Sequence, residues 1–293
     1  MTTNEAVKDL YPSRVRAKTQ ILERQDPVVW SNSFNGPLGK EDLNFYEQNG
    51  YLFKEGFFSP EEVEQLQAEL SRTLKASRGS KRPEVILEPN GDEVRSVFAV
   101  HRDNEVFKAL SNHPLLQGAV KQILGSEAYI HQSRINFKPG FKGKEFQWHS
   151  DFETWHTEDG MPRMRALSCS IALSDNYPFN GPLMVVPGSH RYYVSCVGET
   201  PDNNFESSLR AQEFGVPDEE SLSWLVNQSR IDQPAGRAGS IVFFDCNMMH
   251  GSNSNITPYP RSNVFLVYNS VENKLVEPFA AKAPRPEYIA TRD

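Results

Sequence analysis

From residue 128 onward the chain breaks into short runs rich in β-forming residues: AYIHQSRINFK, EFQWHSDF, RALSCSIALS, LMVVPGSH, GSIVFFDCNMMH and NVFLVYNSV. Gly, Pro and Asn separate them, and their length and flanking turn residues favour strands over helices. The chain before residue 128 has another character. KEDLNFYEQNG predicts a short helix closed by Gly50, with a strand following in YLFKEGF. In SPEEVEQLQAELSRTL, Ser59 supplies an N-cap, Pro60 the first helical position and Glu62 the capping-box partner. NEVFKALSNHPLLQGAVKQILG predicts helix with a break near Pro114 and an end at Gly125. Helices first and strands after predict a mainly β fold with flanking helices around a double-stranded β-helix, a jelly-roll or cupin-like core. We expect one domain over 1–293: an arm and supporting helices at 1–127, the core at 128–270 with an insertion at 198–235, and a tail at 271–293. The insertion carries a helix in DEESLSWLVNQ, and the Pro-rich tail is expected to be extended.

A net charge of −7 argues against a nucleic-acid partner, which calls for a basic patch. The three cysteines, Cys169, Cys196 and Cys246, are too few and too scattered for a disulfide framework, and suit a reducing cytoplasm. MTTNEAVKDLYPSRVRAKTQ has no apolar core of a secretory signal, and no long apolar run predicts a membrane span.

The stretch FQWHSDFETWHTEDGMPR gathers candidate ligands at residues 146–163. Read as a strand, it places His149, Asp151 and Glu153 on one face; read as a helix, it groups His149, Glu153 and His156. The helical reading uses ETWH as the Glu-x-x-His element of di-iron bundles, but no second such element or long amphipathic helix accompanies it. The strand reading gains support from VFFDCNMMHGSNSN, which ends a strand at His250, and from Arg261 eleven residues later. Two imidazoles and one carboxylate bind iron(II) on one face and leave three positions open. A 2-oxo acid fills two and O2 the third; the far carboxylate of 2-oxoglutarate then calls for a planar guanidinium, which Arg261 supplies. Ser252 adds a hydroxyl and Lys138 a positive charge. In HQSRINFK, Gln132, Arg134, Asn136 and Lys138 share one parity, which lines a polar cavity or faces solvent. His101, His113 and His131 are read as structural or exposed, His190 as a turn hydrogen-bonding group, and HTEDGMP as a loop leading away.

FQWHSDFETWHTEDGMPR, with HQSRINFKPG, NYPFNGPLMVVPGSH and DCNMMHGSNSNITPYPRSN, resembles the phytanoyl-CoA dioxygenase-like group of iron(II)/2-oxoglutarate oxygenases, and within it the members that hydroxylate ectoine. The resemblance spans most of residues 128–270. It implies a jelly-roll core, Fe(II), and 2-oxoglutarate and O2 as cosubstrates. It implies that His149, Asp151 and His250 hold iron and that Lys138, Asn136, Ser252 and Arg261 hold 2-oxoglutarate. Gln132, Thr154, Trp155, Phe244 and Phe265, with Arg285 from the tail, would form a pocket for ectoine. From the residues alone, Phe244 and Phe265 are better read as core packing. Another small zwitterion or an acyl thioester as substrate, a zinc hydrolase, and a non-catalytic binding protein are the competing readings. A homodimer is allowed, and the oligomeric state is not fixed by sequence.

Overall fold

The computed structural model describes residues 8–32, 35–88, 92–209 and 212–292. Residues 1–7 of the N-terminal arm lie outside the described residues. Twelve strands follow in chain order: β1 Gln20–Glu23, β2 Tyr51–Lys54, β3 Val85–Leu87, β4 Val94–Phe98, β5 Ala128–Lys138, β6 Phe146–His149, β7 Ala166–Ala172, β8 Leu183–Val185, β9 Tyr192–Ser195, β10 Ile241–Asp245, β11 His250–Ser252 and β12 Arg261–Ser270. The main helices are α1 Lys40–Asn49, α2 Pro60–Ser77, α4 Glu105–Ser111, α5 Pro114–Leu124 and α8 Glu219–Asn227; single turns are α3 Val100–Asp103, α6 Asp151–Thr154 and α7 Phe205–Ser208.

The sequence places the helix ends well, because caps are local chemistry. Ser59 Oγ accepts from the Glu62 amide at 3.3 Å, and Glu62 returns the bond to the Ser59 amide at 2.8 Å. Gly50 closes α1 at φ 75°, and a Cβ there would lie 2.3 Å from the His190 ring, so glycine is required twice over.

Seven strands form one sheet in the order β2-β10-β7-β12-β5-β4-β3, and β6-β11-β8 form a second. Period-two alternation explains how the large sheet serves two environments. Leu167, Cys169 and Ile171 of β7, Ile241 and Phe243 of β10, and Val264, Leu266 and Tyr268 of β12 pack with Leu43, Leu66, Phe107, Leu116, Val120 and Ile123 of the helices. The alternate residues have other partners: Ser168 meets Asp151, Ser170 meets Asn263, and Phe244 packs with Phe265, Leu183 and Val185. Helices therefore cover one face, and the other face meets the β6-β11-β8 side, as in the expected jelly roll.

One irregularity matters for the site. Along β5 and β12, Val267 pairs with Gln132 but Tyr268 pairs with Ile130, so the register passes over His131. This bulge breaks strict alternation. Ile130 packs against the helical core, while His131 turns to the opposite side and reaches Asp159. No helix among the described residues is long and apolar enough to cross a membrane.

Candidate metal centre and anion pocket

His149 ends β6, and His250 begins β11 directly opposite it in the antiparallel pair. Cross-strand pairing therefore joins two residues a hundred positions apart, with ring centroids 4.2 Å apart. Asp151 completes the group: Nε2 of His149 lies 3.7 Å from its Oδ1, and Nε2 of His250 lies 3.9 Å from its Oδ2. One ligand atom from each residue lies within 4.8 Å of the others. Each Nδ1–H donates to a backbone carbonyl, His149 to Gln147 at 2.6 Å and His250 to Met248 at 2.9 Å. That bond fixes the tautomer and aims the Nε2 lone pair at the centre, as a metal requires. Burial, then the neighbouring His149, pushes the His250 imidazole down to about 4, which keeps it neutral and able to ligate. Burial works against ionisation of Asp151, but His250 and His149 outweigh it and hold its carboxyl below the usual range. The donor set thus fits a divalent metal with open positions.

The structure corrects the backbone on which this site was expected. The strand stops at His149, and Asp151 opens the turn α6, which continues as a π-helical turn over Trp155–Asp159. HTED is helical and buried rather than an exit loop, and Gly160 caps it in the left-handed region at φ 80°. Glu153 does not share a face with the ligands: its carboxylate accepts from Arg14 at 2.7 Å and from Ser13 at 2.6 Å. His156 stacks on Phe279 and sits 3.0 Å from Asp9, far from any ligand role. A π-turn beside a site is a common functional device, since it re-aims side chains within a helix.

Behind the metal ligands lies a set of cations with few counter-ions. Arg261 opens β12 opposite Lys138, the last residue of β5. Like charges facing across a sheet are unfavourable. Arg261 is 3% exposed, yet among the described residues its Nε and Nη1 have no partner, and its Nη2 donates to Asn136 at 3.5 Å. Burial, then Arg134, pushes it down to about 10. Lys138 donates to Ser252 at 2.9 Å and to the Asn253 carbonyl; burial, then Arg261 and Arg95, lowers it to about 6. The four residues expected to hold 2-oxoglutarate, Lys138, Asn136, Ser252 and Arg261, thus form two hydrogen-bonded pairs: Asn136 with Arg261 across the neighbouring strands β5 and β12, and Lys138 with Ser252 across the gap between the two sheets.

The cleft over the metal ligands is lined by Gln132, Arg134, Thr154, Trp155 and Arg285 together with His149 and Asp151. Gln132 already donates to the Ile289 carbonyl at 2.9 Å, so strand and tail meet there. Phe244 and Phe265 do not line this cleft; the Phe244 ring lies 5.0 Å from that of His250, and the Phe265 ring 5.1 Å from the Arg134 guanidinium. Both also belong to an apolar cluster, so packing and proximity to the site coexist.

Several lining residues carried no assignment from sequence. Arg134 shares the polar parity of β5, and alternation alone could have nominated it; its Nε is buried without a partner. Phe98 and Phe146 also line the cleft, as do Asn204, Leu209, Gln212 and Phe214 of the insertion, for which no local pattern exists. The expected extended tail is instead fastened over the π-turn, with Ala280 N donating to Thr157 and Val276 N to Gly160.

Comparison with known proteins agrees with this geometry. Residues 46–263 match the family described as phytanoyl-CoA dioxygenase (PhyH). The chain is 55% identical to the ectoine dioxygenase of Bordetella bronchiseptica over 97% of its own length and 93% of that protein's. It is 53% identical to the ectoine dioxygenase of Stutzerimonas stutzeri, covering 97% and 95%. A solved structure of EctD from S. alaskensis with 2-oxoglutarate and 5-hydroxyectoine matches with a TM-score of 0.89 at 47% identity, over 97% of this chain and 95% of that one. EctD from the same source with bound Fe matches at a TM-score of 0.88 and 46% identity, over 98% and 95%. The carbocyclase SnoK, at 22% identity and a TM-score of 0.63 over 80% and 84%, shares the fold. With a His-Asp-His centre, a family match over residues 46–263 and relatives more than half identical over nearly its full length, the chain belongs to the phytanoyl-CoA dioxygenase family.

Proposed function

We propose that the chain is an iron(II)- and 2-oxoglutarate-dependent hydroxylase that converts ectoine to 5-hydroxyectoine, with succinate and CO2 as coproducts. The observation that carries this reading is the guanidinium of Arg261, buried without a counter-ion among the described residues and facing Lys138, whose amine bonds Ser252 two residues past the ligand His250. A buried cation without a counter-ion is costly unless an anion arrives to meet it. A zinc hydrolase would leave that cation without a purpose. Relatives over half identical along nearly the full length are ectoine dioxygenases, which selects the substrate.

His149, Asp151 and His250 hold the iron, which when bound supplies activation of O2 with oxidative decarboxylation of 2-oxoglutarate. Arg261 meets the far carboxylate of 2-oxoglutarate, with Asn136 holding the guanidinium from the other side. Lys138 and Ser252 complete the anionic pocket. Ectoine carries a delocalised cationic ring and a carboxylate. Trp155 supplies an aromatic face for the ring, worth roughly 0.5–2 kcal/mol when desolvated. Phe244 adjoins His250 and Phe265 adjoins Arg134; Gln132 and Thr154 offer polar contacts, and Arg285 meets the carboxylate. The insertion residues Leu209 and Phe214 exclude water from above. Three buried free cysteines fit a cytoplasmic setting.

The deciding experiment incubates the protein with ectoine, iron(II), 2-oxoglutarate and O2 and follows products by mass spectrometry. A gain of one oxygen on ectoine with stoichiometric succinate is expected. Succinate release with another zwitterion or an acyl thioester, and none with ectoine, would move the substrate; turnover with zinc and without O2 would replace the chemistry.

Lys138 gives this pocket a measurable proton linkage. Its folded value of about 6 lies below the ordinary lysine range near 10.4. The unfolded chain therefore binds more protons between those values, and the ligand-free protein gains stability as pH rises through that window. The penalty is complete below about pH 6. A bound dianion raises the lysine again. Binding of 2-oxoglutarate to anaerobic iron-loaded enzyme at pH 8 should then take up a proton, seen as a calorimetric enthalpy that depends on the buffer. Lys138→Met should abolish the dependence, and a buffer-independent enthalpy in the parent protein would remove Lys138 from the linkage.

A further inference from the structure

Arg285 does not hang free on the C-terminal tail. Its Nε donates to Asp159 Oδ1 at 2.8 Å and its Nη2 to Asp159 Oδ2 at 2.6 Å. Asp159 is fully buried at the end of the π-turn, four residues after Trp155. Its Oδ2 also lies 3.2 Å from Nε2 of His131, the residue that the β5 bulge turns to this side. The other ring nitrogen of His131 lies 3.2 Å from the Thr291 carbonyl. Nη1 of Arg285 has no protein partner among the described residues, and Arg285 lines the cleft beside Trp155, Gln132 and Asp151.

We propose that Asp159 is a positioning residue for the substrate: by holding one edge of the Arg285 guanidinium, with His131 as its brace, it presents the other edge to the substrate carboxylate. This rests on the ectoine hydroxylase reading above. A planar fork held on two of its nitrogens has one orientation left, so its remaining donors are aimed before substrate arrives. Charge matching points the same way. Arg261 has no acidic partner and suits a dianionic cosubstrate, whereas the Asp159–Arg285 pair is neutral overall and suits a zwitterion of no net charge. Burial opposes ionisation of Asp159, but Arg285 and then His131 outweigh it and hold the carboxyl down at about 2.

The carboxylate is not required to dock the tail. Arg292 donates to the Asp159 carbonyl at 3.1 Å and to the Val276 carbonyl at 2.6 Å, and Val276 N donates to Gly160 at 2.9 Å. These backbone anchors hold the same segment without the Asp159 side chain. Gly160 reinforces them: at φ 80° a Cβ would lie 2.1 Å from the Val276 carbonyl oxygen, so only glycine allows this approach.

The test is a double-mutant cycle on steady-state kinetics of the iron-loaded enzyme. Asp159→Asn, which keeps the shape and removes the charge, should raise the KM for ectoine by about tenfold or more. It should leave kcat within about threefold and the KM for 2-oxoglutarate unchanged, because the metal ligands and Arg261 are untouched. In an Arg285→Ala background the same change should add little, since a residue that acts through another is non-additive with it. Arg292→Ala, which loosens the tail but spares the Arg285 pair, should keep the ectoine KM near that of the parent. Equal effects of Asp159→Asn in both backgrounds, or an unchanged ectoine KM, would overturn the proposal while leaving the hydroxylase reading intact. A parent enzyme inert toward ectoine would overturn both. Should Asp159→Asn fail to fold, His131→Gln is carried through the same cycle, with a smaller rise in ectoine KM expected and the same criterion of non-additivity.

Discussion

Asp151→Ala is expected to abolish hydroxylation and to strip the protein of stoichiometric iron. Asp151 is the single carboxylate in the ligand group, and both imidazoles are fixed to backbone carbonyls, so neither can move to replace it. Its loss also leaves Arg134 without the negative charge that most offsets its burial, which further disfavours a cation at the centre. Altering partners outside the ligand shell commonly lowers metal affinity or activity by about 10- to 100-fold, and loss of a ligand should exceed that. Product by mass spectrometry and iron by elemental analysis give the answer together. Product formation above about a tenth of the parent rate would refute the ligand role, as would full iron retention. The fold should survive, because the Asp151 carboxylate is tied to the surrounding scaffold by a long bond from Ser168 at 3.3 Å, and removing an acid from a preorganised site seldom harms packing.

What the sequence revealed follows from where each signal resides. Ser59, Pro60 and Glu62 declare a helix start because the bonds they make are three residues long. The polar parity of Gln132, Asn136 and Lys138 could be read, since β5 alternates regularly from Gln132 to Lys138, past the bulge at His131. Whether that row faced water could not be read, because the answer depends on the β6-β11-β8 side lying over it. The carboxylate crowding at 151–159 misled in another way. Glu153, Glu158 and Asp159 are buried, but they answer Arg14 and Arg285 from the two ends of the chain, and no local pattern encodes such partners. The bulge at His131 shifts a residue across the sheet by register alone. The short strands β3, β8 and β11, each of three residues, are specified by pairing rather than by propensity. His250 was found only through the chemistry of its partners; its position opposite His149 is a property of the sheet.

Arg261→Ala is the second large effect, and its value lies in two readouts that move in opposite directions. Affinity for 2-oxoglutarate should fall about 100-fold or more, consistent with the ~2–5 kcal/mol seen on truncating one partner of a buried charged pair. The KM for 2-oxoglutarate should rise while ectoine binding, which we propose rests on Arg285 and Trp155, changes little. Stability of the ligand-free protein should hold or increase. Arg261 is buried with two nitrogens that have no partner among the described residues, and burial and then Arg134 push it down, so its removal relieves an unmet desolvation penalty and the repulsion from Arg134. Arg261→Lys should not rescue binding, because a point charge cannot reproduce a planar two-point grip on a carboxylate. A structural arginine would behave otherwise: its loss would lower the melting temperature and leave cosubstrate affinity alone. Thermal melts without ligand, set beside 2-oxoglutarate titrations of the same variants, separate the two. A cation held at some expense to the fold is what an anion-binding site requires, and Arg261, buried with two nitrogens that have no partner among the described residues, meets that requirement.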